Sequence, residues 1–148
     1  MSKKNAFVFL CIVIIALLTF IPFGSYGIGL GITSIILAFA FIGENYTENK
    51  LKTIFGNMAI ILILSIIGTL VANNNIYICT LVTCIVGFFI FYLFSYENRI
   101  SISLFSMGYY MFIIWNPIPI SQLPVRLLIN AYGVFVTFGL YFLVFKVK

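Results

Sequence analysis

Arg126, Asn130, Gly133 and Thr137 follow one another at spacings of four, three and four. On a helix of about 3.6 residues per turn this puts all four on one face. A guanidinium with an amide one turn behind it offers paired N–H donors to a carboxylate or a similar planar anion. Seventy-four residues earlier, half the chain, Lys52, Gly56 and Ala59 repeat the pattern of cation, plus four, plus seven. Each cation falls in the first turn of an expected helix, where unpaired N–H groups and a partial positive charge favour an anion. Arg126 would grip such a group from the outer side, and Lys52 would offer a softer charge from the inner side. The alternative for both is that the long side chain runs out to lipid headgroups. Asn57, one turn into its helix, and Tyr109 and Tyr110, in the middle of theirs, carry polar groups that need partners away from lipid. These six, Arg126, Asn130, Lys52, Asn57, Tyr109 and Tyr110, are the candidate substrate-binding residues.

Other chemistries lack their parts. Histidine is absent, and the three acids, Glu44, Glu48 and Glu97, lie in expected loops, so no Ser-His-Asp or Cys-His arrangement is available. No HExxH, Walker loop or GxGxxG occurs, and an enzyme is not expected. Cys11, Cys79 and Cys84 form no CxxC. They read as small apolar fillers rather than as metal or redox groups, and neither a metal nor a cofactor is expected.

The elements that must position these residues are membrane helices. The chain has 148 residues, 64% of them apolar and 7% charged, with a mean hydropathy of +1.22, far from the balance of soluble domains. Asn5 to Gly43 and Thr53 to Tyr96 are uncharged runs of 39 and 44 residues. Each is about twice what one helix needs to cross a bilayer. The first is broken by Pro22, Gly24 and Gly27, the second by Asn73, Asn74 and Asn75. With two more runs on either side of Pro117, Pro119 and Pro124, the expected fold is all-α. It is one domain of six transmembrane helices, at about 6–21, 27–43, 54–72, 76–95, 100–115 and 125–145.

Lys3, Lys4, Lys50, Lys52, Arg99, Lys146 and Lys148 share one side if the N terminus is cytoplasmic, against Arg126 alone on the other. Both termini are therefore expected in the cytoplasm. The net charge of +5 reads as this topology signal and not as a nucleic-acid surface. Gly27, Gly31, Ser34 and Ala38, with Gly133 on the last helix, are helix-packing candidates. Small residues on one face let another backbone approach, and the same face also suits the wall of a substrate path. Because three is odd, two three-helix units would be inverted repeats, as in several transporters.

Lys52-Thr53-Ile54-Phe55-Gly56-Asn57, the Pro-rich loop, and Leu123-Pro124-Val125-Arg126-Leu127-Leu128-Ile129-Asn130-Ala131-Tyr132-Gly133 together resemble the fusaric-acid-resistance and aromatic-acid-exporter (FUSC-like) family. The resemblance implies a six-helix membrane unit, followed in that family by a cytoplasmic domain and often a second membrane unit. It also implies efflux of aromatic or other organic acids. Lys52 stands where the family commonly has Arg, and Gly56-Asn57 stands in place of its Gly-Thr. The expectation is a small multi-pass protein of the bacterial inner membrane that binds or moves an organic anion. Its expected partners are the lipid bilayer and a second copy or another membrane protein, with no nucleic acid. Two other readings stay open: a substrate-binding membrane subunit of a vitamin importer, and a non-transporting membrane assembly or anchoring protein.

Overall fold

Three consecutive asparagines punctuate the chain, and each has its own work. In a computed structural model, residues 13–14, 17–18, 21, 36, 50–95 and 100–145 are described. Helix α1 (Lys50–Ala72) ends where Asn73 and Asn74 turn their side-chain amides back onto the carbonyls of Thr69 and Leu70, at 2.8 and 2.7 Å. Those carbonyls lie in the last turn, where no further backbone donor follows. Asn75 then caps α2 (Ile76–Ser95), its Oδ1 accepting from the Tyr77 N–H in the manner preferred at a helix start. Helix α3 (Ile100–Trp115) stops before Pro117, as the residue before a proline is turned away from helical geometry. A short exposed 3-10 turn, η1 (Ile120–Gln122), leads into α4 (Leu123–Phe145). Pro124 sits in the first turn of α4, where its missing N–H removes no helical hydrogen bond.

Packing follows from where the buried positions fall. On α4 they are Arg126, Ile129, Asn130, Gly133, Val134, Thr137 and Phe138; on α1, Ile61, Leu64, Ser65, Gly68, Thr69 and Val71. Both sets step by three and four, the stripe of a helix that buries one face. Helix α3 buries Ile102, Ser103, Ser106, Tyr109, Tyr110 and Ile113. Helix α1 lies in the middle, packed on both α3 and α4, while α2 rests mainly on α3. Gly68 is the closest approach, since a Cβ there would meet Cγ2 of Ile113 at 2.6 Å. Outside these segments, the Tyr132 hydroxyl donates to the Leu18 carbonyl at 3.3 Å, bringing a helical residue of the N-terminal part against α4.

The expectation of six membrane spans is corrected. Among the described residues the α-helices number four, and one of them, over Ile76–Leu93, is long and apolar enough to cross a membrane. The apolar stretches found among the described residues of α1 and α3, Met58–Ala72 and Ile102–Trp115, are shorter. An uncharged run is not an apolar one: Ser65, Thr69, Ser103, Ser106 and Asn130 carry no charge and are nevertheless polar groups buried among these helices. The inverted three-helix repeat loses its basis with the six spans. Gly27, Gly31, Ser34 and Ala38, and both chain termini, lie outside the described residues.

Candidate functional site

The polar seam runs between α1 and α4. Ser65 and Thr69 on α1 face Asn130 and Arg126 on α4: Asn130 Nδ2 donates to Ser65 Oγ at 3.0 Å, and Arg126 Nη1 donates to Thr69 Oγ1 at 2.9 Å. A four-residue step forward on one helix is met by a four-residue step back on the other, so the helices are antiparallel. Thr69 accepts from Arg126 and passes its own proton to the Ser65 carbonyl at 2.7 Å. One hydroxyl thus joins the guanidinium to the backbone of α1. The other end of the guanidinium, Nη2, donates to the carbonyl of Asn116, the first residue beyond α3.

Arg126 is fully buried, which sets aside the reading in which it runs out to headgroups. Burying a guanidinium is costly unless its donors are met, and the fold places it where negative partial charge gathers. Thr69 belongs to the last turn of α1, and Asn116 directly follows α3. Two helix C-termini therefore face the cation, each favourable by about 0.3–1 kcal/mol at an exposed site and more when partly buried. The start of α4, on which Arg126 rides, opposes it by a similar amount. The balance favours the cation where it lies.

Asn130 is also fully buried, and its Oδ1 has no hydrogen-bond partner among the described residues. Gly133 is buried one turn further along, and Thr137 turns its hydroxyl onto the Gly133 carbonyl at 2.7 Å. The four-three-four face of α4 is therefore a buried face, polar at its start and closed upon itself further in.

The remaining candidates are spread along the bundle. Lys52 and Asn57 are on α1, with side chains outside the described residues. Along α1, Lys52 precedes Thr69 by 17 positions, about 25 Å of helix axis. Tyr110 is buried against Gly68, its Cδ2 lying 3.5 Å from where a Cβ would stand. Its hydroxyl lies beside Thr83 of α2, without standard hydrogen-bond geometry. Because Gly68 and Thr69 are consecutive, Tyr110 and Arg126 meet α1 at one level, on faces about 100° apart. Tyr109 is buried on the same helix. Towards the end of α2, Phe88 stacks on Tyr92 with centroids 6.0 Å apart and meets Phe89 edge-on at 6.1 Å, all three exposed.

The sequence reading missed Ser65, Thr69 and the Asn116 carbonyl as participants. The signal for Thr69 was available, since Ser65 and Thr69 mirror Arg126 and Asn130 at the same four-residue spacing. The carbonyl has no sequence signature at all. No protein-family model matches the chain, and no curated protein or solved structure matches it.

Proposed function

We propose that this is a helical protein of the bacterial inner membrane that binds an organic anion at Arg126 and, in the manner of the aromatic-acid exporters it resembles, moves it. The observation that carries the reading is the fully buried guanidinium of Arg126, hydrogen-bonded to the Thr69 hydroxyl and the Asn116 carbonyl. A cation buried among apolar helices is expensive to keep, and a charged group held in such a place is a candidate for a functional site. A carboxylate offers two charged oxygens to the same fork of donors, a stronger acceptor set than a hydroxyl and a peptide carbonyl. Asn130, one turn deeper, supplies an amide for a second polar group on the ligand.

Equilibrium binding of radiolabelled benzoate to the full chain in lipid nanodiscs tests this. Wild type binds, Arg126→Gln binds at least tenfold more weakly, and Arg126→Lys falls between because a point charge replaces the fork. In parallel, benzoate raises the unfolding temperature of wild type, as any ligand of the native state does. Equal benzoate binding by wild type and a folded Arg126→Gln protein overturns the assignment.

One observation favours a second reading, a non-transporting assembly or anchoring protein. Only 17% of the Ile76–Leu93 window is buried, leaving a long apolar surface for lipid or for a partner's helix. Under that reading, charges placed on α2 disrupt assembly while benzoate is never bound.

A further inference from the structure

The segment 116–119 crosses the end of the bundle as a strap held at a few defined points. Asn116 gives its carbonyl to Arg126 Nη2, and Ile118 gives its carbonyl to Asn73 Nδ2 at 2.7 Å. The Ile118 side chain is buried at 5% exposure, while Pro117 and Pro119 on either side of it, and Trp115 and Ile120, are exposed. Two of the four strap residues are prolines and have no N–H to give. The Asn116 N–H is used within its own helix end, on the Phe112 carbonyl. The strap is thus fastened by accepting hydrogen bonds from Asn73, the residue that follows α1, and from Arg126 of α4. Asn73 is the keystone: the same Nδ2 also donates to the Thr69 carbonyl at 2.8 Å, so both amide hydrogens are engaged and the side chain is fixed beside the residue that holds Arg126.

We propose that this strap is self-inhibitory: the Asn116 carbonyl occupies the donor that an anion's second oxygen would take, and Asn73 is the latch that keeps it there. The proposal rests on the reading of Arg126 as an anion site. Anion binding then requires the carbonyl to give way, so apparent affinity is lowered by the fraction of molecules in which the strap is closed. Releasing the latch raises affinity without touching the guanidinium or the Thr69 hydroxyl. Losing one hydrogen bond to a carbonyl corresponds to a factor of roughly five to ten in that equilibrium.

Trp115, the chain's one tryptophan, is 86% exposed and directly precedes the strap, so its fluorescence reports strap position. The full chain in nanodiscs is titrated with benzoate, reading bound radiolabel and Trp115 emission together, for wild type and Asn73→Ala. Asn73→Ala is expected to bind roughly five- to tenfold more tightly, with its emission already shifted towards that of benzoate-saturated wild type. Should Asn73→Ala fail to fold, hydrogen exchange on wild type gives the same answer, since benzoate is expected to speed exchange at the Asn116 and Ile118 amides. Benzoate that binds both proteins equally, with Trp115 emission and strap exchange unmoved, overturns the strap and leaves the anion site standing. Benzoate that binds neither overturns the anion site, and the strap's inhibitory role with it.

Discussion

Arg126 is a buried cation in the first turn of its own helix, a position that electrostatics disfavours, and what holds it there is oxygen from elsewhere. Thr69 is the side chain among these acceptors. Thr69→Val keeps the shape of the side chain and removes only the hydroxyl, so one buried donor of a charged group loses its acceptor. The expected loss is about 1.5–3 kcal/mol of stability, the range for hydrogen bonds to charged groups, measured by chemical unfolding in mixed micelles. A change under about 0.5 kcal/mol would mean that the guanidinium finds another acceptor without cost. At this scale the sequence was partly legible. The helical spacing of Arg126, Asn130, Gly133 and Thr137 marked a face that the structure buries. For the partners the sequence holds only the matching four-residue spacing of Ser65 and Thr69, which gains its meaning once the antiparallel register sets Thr69 opposite Arg126.

Between elements, the contact that fixes the spacing of α1 and α3 is Gly68 against Ile113 and Tyr110. Ile113 is β-branched and fully buried, so it has few rotamers through which to yield. Gly68→Ala is therefore expected to destabilise by about 1–2 kcal/mol net. Overpacking costs of roughly 1–3 kcal/mol outweigh the helix-propensity gain of at most about 1 kcal/mol. Gly108 lies exposed on α3, and a Cβ added there would meet nothing within 4 Å, so Gly108→Ala keeps the propensity gain alone and is expected to stabilise. Thermal unfolding of the two variants side by side checks both signs. Helix ends were readable in advance because asparagines and prolines act locally: Asn75 caps α2, and Pro117 closes α3. The number of spans was not, since an uncharged run does not tell which of its polar residues are buried between helices.

For the molecule as a whole, α2 differs from its neighbours. It buries Val86, Gly87 and Ile90 against the bundle and exposes Ile78, Leu81, Ile85, Phe88 and Leu93. Eighteen residues at 1.5 Å each make about 27 Å, close to the thickness of a hydrocarbon core. Ile85 is near the middle of that window and half exposed. Ile85→Lys is expected to cost membrane insertion about 2.5–3.5 kcal/mol, as charged residues do at a helix centre. Tyr77→Lys, at the end of the same helix, is expected to be tolerated because its ammonium reaches the interface. Resistance to alkaline extraction from membranes distinguishes them, and equal resistance would show that α2 lies against protein instead of lipid.

The neighbouring positions Gly68 and Thr69 also bear on how this bundle is able to move. One is a notch that receives Ile113 and Tyr110, and the other is a tooth engaged by Arg126. Rotating α1 by a single residue position would turn tooth into notch and drive a side chain into Ile113. A shaft keyed on two adjacent sides does not spin. Rearrangement is left to the parts that are not keyed to it, the strap across the bundle's end and the sparsely packed α2, with α1 as the fixed axle between α3 and α4.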